Sequence, residues 1–343
     1  MGGLTWRDEA GKDSKMMTKY QETDVKKRIL EFFYENKSDY VSGEEISASL
    51  KFSRASLWKH MGKLRNDGYI IEAVPHLGYI LRSTPDKMYG YEIGIGLDTN
   101  TIGKQRIWHY ESLESTNNKA YELAESGEAE GTLVIAETQT AGRGRLGRKW
   151  ISPEGGGIYF SLILRPDMES DKIPVITLVA AVSIQKAIKK ICGIDAGIKW
   201  PNDILIAGKK VCGILTEIKA QPDMVDFLIL GVGINVNTPL KKLPIGATSL
   251  KKESSGSVSR IKLMRQILTE IEKDYLKLKQ DGFNSLRAEC KKLSIVLNKQ
   301  ITINEHHRVL EGIAVDIDEK GVLIVKMESG ERKRIFSGTI LIT

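Results

Sequence analysis

Apolar side chains recur at helical spacing near the beginning of the chain. A first set at positions i, i+4, i+7 and i+8 consists of Val25, Ile29, Phe32 and Phe33. Such a set lies on one face of a helix. Ser42 and Ser53 are suitable N-caps for two further helices, because a serine side chain can accept a hydrogen bond from a free amide of the first turn. The inner face of the last helix would consist of Leu57, Met61 and Leu64. Three consecutive helices are therefore predicted.

The spacing then changes to that of strands. Two short segments, Tyr69 to Ala73 and Tyr79 to Arg82, flank the turn-forming residues 75–78. Three helices followed by a hairpin predict a winged helix-turn-helix domain over 23–84. Residues 85–105 contain four glycines and predict a linker.

The remaining chain mixes helical and alternating patterns. Residues 106–293 predict a mixed α/β domain in which Ile158 to Leu164 is a buried strand. From Ile295 onward the pattern alternates, with turns near Gly321 and Gly330, and this predicts a small β-barrel over 294–343. The expected fold class is α+β.

Composition narrows the class of function. A chain of 343 residues with a net charge of +7 has room for two or three domains and favours an anionic partner. No apolar stretch is long enough to cross a membrane, and the first 22 residues, which we expect to be disordered, do not resemble a signal peptide. Alternatively the native protein starts at Met16 or Met17. Three widely spaced cysteines argue against a disulfide framework or a structural metal site and indicate the cytoplasm.

The third predicted helix carries the charge expected of a DNA-binding helix. Between Lys51 and Arg65 there are five basic residues and no acidic one. DNA phosphates attract such charge, although a solvated basic face is the alternative interpretation. The residues expected to contact DNA, within the helix-turn-helix region Gly43 to Gly62, are Ser53, Arg54, Ser56, Lys59 and Lys63. Trp58 either packs beneath the helix or touches DNA, and packing is the favoured interpretation.

Three dense runs carry the candidate chemistry. They are Gly142 to Trp150, with three arginines and three glycines, Lys199 to Ile204, and Gly231 to Asn235. Arginines suit phosphate and carboxylate, and glycines let a ligand approach the backbone closely. The first run lacks the Lys-Ser/Thr ending of a phosphate-binding P-loop. Taken singly, the runs are also compatible with a basic loop and ordinary strand ends.

In this order the runs resemble those of the biotin–protein ligases. Gly142 to Trp150 is similar to that family's adenylate loop, Lys199 to Asp203 to its Lys-Trp-Pro-Asn-Asp segment, and Ser115 to Asn117 to its Ser-Thr-Asn turn. The resemblance extends from about Arg106 to the C-terminus, and it makes 106–293 the expected catalytic domain. The first domain resembles that of the bifunctional members, the biotin operon repressors, except that Leu77 stands where their wing tip often has a lysine.

The resemblance implies a reaction in two steps. The biotin carboxylate attacks the α-phosphate of ATP, and a lysine of a carrier domain then attacks the biotinyl-adenylate. The implied ligands are biotin, ATP and Mg²⁺, with the metal arriving with ATP, near Asp203, and no structural metal site. The implied partners are the biotin carboxyl carrier protein, other biotin-dependent carboxylases, inverted-repeat operator DNA, and a second copy of the chain when the adenylate is bound. A membrane is not expected.

The site residues follow from the resemblance and from charge. Biotin would contact Ser115, Thr116, Asn117, Gln139, Arg143, Gly144, Arg145 and Lys199. ATP or the adenylate would contact Arg145, Arg148, Trp150 and Asn235. The catalytic set would be Lys199, Arg143, Arg145 and Asp203, because positive charge must stabilise the developing phosphate anion.

Several alternatives stay open. Trp150 stacks on adenine or anchors the loop; stacking is favoured because no aromatic residue occurs between Asn235 and Leu263, where some relatives have one. Asp203 holds Mg²⁺, orients the amine or shapes a turn. Thr116 and Gln139 have ordinary capping and loop roles as alternatives. For the whole chain, the alternatives are a lipoate–protein ligase and a metabolite-sensing repressor without ligase activity.

Overall fold

The computed structural model describes residues 24–36, 39–220, 224–305 and 308–342. Contacts within the chain separate two units, the first ending at Ile95 and the second beginning at Gly96. The leader predicted over 1–22, with the alternative starts at Met16 and Met17, lies outside the described residues.

The first unit contains the predicted helices and hairpin. Its elements are α1 (24–35), α2 (Gly43–Leu50), α3 (Arg54–Asn66), β1 (Ile70–Val74) and β2 (Gly78–Ser83). Ser42 and Ser53 cap α2 and α3 by accepting hydrogen bonds from the amides of Glu44 and Ser56. Leu57, Met61 and Leu64 are buried in the core of this unit, as predicted. The antiparallel β1 and β2 begin and end within one residue of the expected strands.

The segment predicted as a linker contains a helix. This helix, α4 (Gly90–Gly94), buries the side chain of Glu92. The Glu92 carboxylate accepts hydrogen bonds from the hydroxyls of Tyr34 at 2.8 Å and Tyr69 at 2.7 Å. Glycine content alone predicted little structure here, and these distant tyrosines supply the stabilising contacts that a local pattern does not reveal.

A seven-stranded mixed sheet forms the centre of the second unit. In spatial order its strands are β3 (Ile107–Leu113), β4 (Leu133–Gln139), β5 (Gly157–Leu164), β9 (Val225–Asn235), β8 (Lys209–Ala220), β7 (Asp203–Ile206) and β6 (Gly197–Lys199). Only β3 and β4 are parallel among the described pairs. The register aligns Ser161, Gly231 and Leu215 on three neighbouring strands.

Helices cover the sheet. They are α5 (Thr116–Glu125), α6 (Ile173–Cys192), α7 (Leu250–Glu253), α8 (Arg260–Asp281) and α9 (Asn284–Leu293). Ala120 and Ala124 of α5 pack in a cluster with Ile163 and Ile229 of the sheet. Because α5 and α8 both contact β5, all eight residues of that strand are buried. This explains why Ile158 to Leu164 reads as a continuous apolar run rather than an alternating one.

The C-terminal region is an open antiparallel sheet. Its strands are β10 (Gln300–Glu305), β11 (Arg308–Ile317), β12 (Leu323–Met327), β13 (Arg332–Ile335) and β14 (Thr339–Ile342), in the spatial order β13-β12-β11-β10-β14. The prediction of a closed barrel was wrong, because no ladder joins β13 to β14 among the described residues. Both edge strands have only four residues, which is short for the tilted ladder that closes a barrel. The α+β fold class is confirmed.

Candidate functional site

Two adjoining cavities lie where the three motif runs meet. The larger has a volume of about 200 Å³ and the smaller one of about 50 Å³. Both are lined by Gly144, Arg145, Trp150, Asn202 and Lys210. The sheet therefore brings together residues that are far apart in sequence, in two compartments that share one wall.

The smaller cavity begins at the N-terminus of α5. Ser115 caps this helix, and its side chain accepts a hydrogen bond from the Asn118 amide. Gln139 Oε1 accepts hydrogen bonds from the Thr116 amide at 2.8 Å and the Thr116 hydroxyl at 3.1 Å. The Ser161 hydroxyl lies 2.8 Å from Thr116 Oγ1 and donates to Asn117 Oδ1 at 2.6 Å. The cavity therefore has a fixed set of hydroxyl and amide groups, which suits a small polar ring.

Glu217 joins the helix terminus to the basic loop. Asn117 Nδ2 donates to one carboxylate oxygen of Glu217 at 2.7 Å. Arg143 Nη2 lies 2.9 and 3.0 Å from the two oxygens of the same carboxylate. The sequence interpretation missed Glu217, the one acidic residue of β8, because strand pairing rather than a local pattern brings it to the site.

The glycines of the third run make room for the side chains of Asn117 and Trp150. A Cβ at Gly231 would collide with the Asn117 side chain, and one at Gly233 would collide with the Trp150 indole. A Cβ at Gly213 would lie 3.0 Å from the same indole. Glycine is needed at these positions because side chains from other elements lie directly on the strands.

Trp150 therefore packs on the backbone of β8 and β9 and anchors the loop. It also lines both cavities. Its buried Nε1 has no hydrogen-bond partner among the described residues. The Lys210 ammonium lies 5.4 Å from the ring centroid, within the range of a cation–π contact. Anchoring and a ligand contact are thus both available to this side chain.

The loop between the first glycine and Trp150 is attached at further points. Arg145 donates to Asn202 Oδ1 at 3.1 Å, and Arg148 donates to the Thr339 hydroxyl of β14 at 2.9 Å. Inside the loop, the Gly144 amide donates to the Arg148 carbonyl at 2.7 Å. Burial lowers the pKa of the Arg145 guanidinium, an effect that Asp203 opposes. Distant elements therefore hold the loop in its folded form.

The larger cavity has three charged residues on one side. Lys199 is the last residue of β6 and pairs with Asp203, the first residue of β7, across the turn of this hairpin. The Lys210 ammonium lies 2.6 Å from the Asp203 carboxylate. Burial lowers the pKa of Lys199; Asp203 opposes this shift, and Lys210 and Arg148 increase it. Sequence analysis missed Lys210, which the β7–β8 hairpin returns to the neighbourhood of Asp203. A cluster of cations beside one carboxylate suits a polyphosphate.

The larger cavity is also lined by Asn235, and Asp203 is the carboxylate that it offers to a metal ion. Asn235 is buried, donates to the Thr248 carbonyl at 3.0 Å and leaves its Oδ1 without a partner among the described residues. The described residues include no group of three or more His, Cys, Asp or Glu side chains placed to hold a metal ion. The single carboxylate of Asp203 fits Mg²⁺ that is bound mainly by phosphate oxygens.

Comparison with known proteins agrees with this geometry. The family model described as "Biotin/lipoate A/B protein ligase family" matches residues 110–235, "HTH domain" matches 25–80, and "Biotin protein ligase C terminal domain" matches 296–342. The chain is 40% identical to the "Bifunctional ligase/repressor BirA" of Bacillus subtilis (strain 168) over 92% of this chain and 98% of that protein.

The chain belongs to the biotin–protein ligase family. It is also 27% identical to the Escherichia coli (strain K12) protein of the same description, over 84% of this chain and 89% of that one. Among solved structures, it is similar to "Biotin protein ligase from Aquifex aeolicus in complex with biotin and ATP", with a TM-score of 0.61 and 30% identity over 70% of this chain and 100% of that chain.

The residues that the sequence analysis named for the site line these two cavities. The smaller cavity is lined by Ser115, Thr116, Asn117, Gln139, Arg143, Gly144 and Arg145. The larger is lined by Arg148, Lys199, Asp203 and Asn235, together with the shared residues. Within the described part of the chain, no helix is both long and apolar enough to span a membrane.

The helix-turn-helix region of this family member has an exposed basic surface. Ser53 serves as the cap of α3, Arg54 forms an exposed ion pair with Glu44 at 2.9 Å, and Lys59 is exposed. Ser56 and Lys63 are partly buried. The favoured interpretation of Trp58 was wrong, because this side chain is 70% exposed rather than packed under the helix. Leu77 at the tip of the wing is also exposed.

Proposed function

We propose that this chain is an ATP-dependent biotin–protein ligase that also acts as a biotin-responsive transcriptional repressor. The observation that supports the ligase most directly is the shared wall of the two cavities. It contains Arg145 and Lys210, so that one substrate's carboxylate and another's phosphate would meet beside fixed positive charge. Joining a carboxylate to a phosphate requires that two anions be held together and their charge neutralised.

The smaller cavity would bind biotin. The hydroxyls of Ser115 and Thr116 and the amide of Gln139, which line this cavity, provide donors and acceptors for the ureido ring. The biotin carboxylate would then point toward Arg143 and Arg145. The Asn117 amide, held by Glu217, shapes this end of the cavity.

The larger cavity would bind ATP. Lys199 would stabilise charge at the α-phosphate as pyrophosphate leaves, with Arg145 and Lys210 beside it. Trp150, Asn235 and Arg148 would contact the nucleotide. Asp203, whose carboxylate lines this cavity, would help to hold Mg²⁺ together with the phosphates, and the metal would supply further neutralisation of phosphate charge.

The second step transfers biotin to a protein. The lysine amine of a biotin-carrier domain, as in the biotin carboxyl carrier protein and other biotin-dependent carboxylases, attacks the carbonyl carbon of biotinyl-adenylate. The C–O bond of the anhydride breaks, AMP leaves, and the amine loses a proton. The loop 142–150 keeps water from the anhydride until the carrier docks.

One assay distinguishes the proposed ligase from two alternatives, a lipoate ligase and a repressor without ligase activity. The matched family model includes lipoate ligases, and a repressor without activity would retain the fold. Incubation of the chain with ATP, a carrier domain and either biotin or lipoate should add one biotin mass to the carrier and no lipoate. Modification by lipoate at an equal rate supports the lipoate ligase, and no modification with either acid supports the inactive repressor.

The proposed repressor is a dimer on inverted-repeat DNA. One recognition helix contacts few bases, whereas a twofold dimer presents two. The adenylate would neutralise Arg143, Arg145 and Lys199 and order their loop, and this would favour dimerisation by the ~1–3 kcal/mol usual for linked sites. Sedimentation with and without biotin plus ATP tests the link. An unchanged mass with unchanged DNA affinity would contradict it.

A further inference from the structure

Trp58 is a large apolar side chain on the outer surface of the recognition helix α3. It is 70% exposed, whereas Leu57, Met61 and Leu64 on the inner surface are 2% exposed or less. Exposed indole surface of this size is enriched at sites that bind a partner. The packing of the first unit does not account for it.

Gly62 supplies an independent observation on the same surface. It lies four residues after Trp58, one helical turn away, in the interior of α3. Glycine costs helix stability relative to alanine. A Cβ at Gly62 would meet nothing within 4 Å, so the chain's own packing does not require glycine there. Ala55, three residues before Trp58, is also small and exposed. The backbone of α3 can therefore be approached closely on both sides of the indole.

The charge of α3 identifies the partner as a polyanion. The helix contains Arg54, Lys59, Lys63 and Arg65 and no acidic residue. A helix of about 10–12 Å diameter fits the major groove of B-DNA, which is about 12 Å wide. In that groove, the apolar group that base pairs present is the C5 methyl of thymine.

We propose that Trp58 reads thymine: its indole contacts a thymine C5 methyl in each half-site while Gly62 and Ala55 let α3 lie close to the base edges. The inference rests on the proposed repressor function. Lys59 would contact phosphate and contribute affinity without sequence preference. The operator would then contain an obligatory T·A pair at one position of each half-site.

Deoxyuridine substitution tests this contact at the level of one methyl group. The full chain with biotin and ATP first selects its preferred sites from a random DNA pool. Each thymine of the selected site is then replaced by deoxyuridine, which keeps the base pair and removes the methyl. We expect ~3–10-fold weaker binding at one thymine per half-site and little change elsewhere.

Trp58→Ala should lose about tenfold or more in affinity for the selected site and become insensitive to the same deoxyuridine. Its affinity for random DNA should stay the same, because no charge is removed. The salt slope, which is the slope of log affinity against log salt concentration, should also stay the same. Lys59→Ala is the matched contrast, with weaker binding to all DNA and a salt slope smaller by about 1. Phe336→Ala, which removes an exposed aromatic ring just after β13, should change neither property.

Gly62→Ala distinguishes close contact of α3 with DNA from a role of Gly62 in folding alone. It should raise the melting temperature and yet weaken binding to the selected site, because the new methyl separates α3 from the groove. If wild type selects no sequence, the repressor function fails. If Trp58→Ala binds the selected site as wild type does, or keeps the deoxyuridine penalty, the thymine contact is overturned. It is also overturned if Trp58→Ala only lowers the mass of the species formed with biotin and ATP, since Trp58 then lies between two copies.

Discussion

Arg143 lies against Glu217, with one guanidinium nitrogen within 3.0 Å of both carboxylate oxygens. The same carboxylate accepts a hydrogen bond from Asn117. One side chain of β8 therefore fixes both the basic loop and the N-terminus of α5. The two motifs are 26 residues apart in sequence, and this shared partner sets their separation in space.

Glu217→Gln should loosen both contacts, because a neutral amide binds a guanidinium less strongly than a carboxylate does. We expect the KM for biotin to rise about 5–10-fold with a smaller change in kcat, measured by ATP–pyrophosphate exchange. Glu125→Gln, which weakens an exposed pair with Lys219, is the control and should behave as wild type. A normal KM in Glu217→Gln would show that the carboxylate does not position the biotin site.

The kcat/KM of adenylation should fall at alkaline pH, because it depends on the charged form of Lys199. Burial lowers its pKa, so the ammonium loses its proton at a lower pH than an ordinary lysine, for which the value is about 10.4. Since the charged form stabilises the phosphate, kcat/KM should fall as pH rises through this lowered pKa. In Lys199→Arg the residue stays charged, so the fall should move to higher pH, even if the rate is lower throughout. An identical fall in both proteins would assign the limit to another group.

Arg145→Gly should release the reactive intermediate. The mutation removes the hydrogen bond to Asn202 that attaches the loop, so the closed form should lose stability more than adenylate formation slows. We expect biotin on lysines of a bystander protein, detected by avidin blot in the absence of carrier. Lys241→Gly removes an exposed basic side chain that lies outside the loop and lines neither cavity, and it should not have this effect. Labelling confined to the carrier domain would show that Arg145 does not retain the intermediate.

Gly233→Ala should displace Trp150, because the added methyl would occupy the position of the indole. Overpacking of this kind costs ~1–3 kcal/mol of stability. We expect a lower melting temperature together with a higher KM for both substrates. Gly256→Ala is the matched control, since a methyl there meets nothing within 4 Å. If Gly233→Ala keeps normal KM values, the position of Trp150 does not matter for either ligand.

The local parts of this architecture could be read from the sequence. Ser42 and Ser53 cap the helices that they were expected to cap, because capping depends on neighbouring residues. The three motif runs do line one pair of cavities. Glu217, Lys210 and Thr339 could not be found in this way, because strand pairing and a contact with β14 bring them to the site.

Two predictions from the sequence were wrong for physical reasons. Trp58 is apolar, and a general rule on burial predicted packing; its position on α3 faces away from the core. Alternation after Ile295 correctly predicted strands, but barrel closure depends on strand length and stagger, which alternation does not encode. The edge strands β13 and β14 have four residues each and remain edges.

Biotin-dependent exchange of labelled pyrophosphate into ATP is the sharpest test of the ligase activity, because it reports adenylate formation without carrier or DNA. We expect exchange with biotin, little with lipoate, and a loss of about 10²–10³-fold in Lys199→Ala, because a charge-stabilising group is removed. Absence of exchange with biotin, equal exchange with lipoate, or full activity in Lys199→Ala would contradict this expectation.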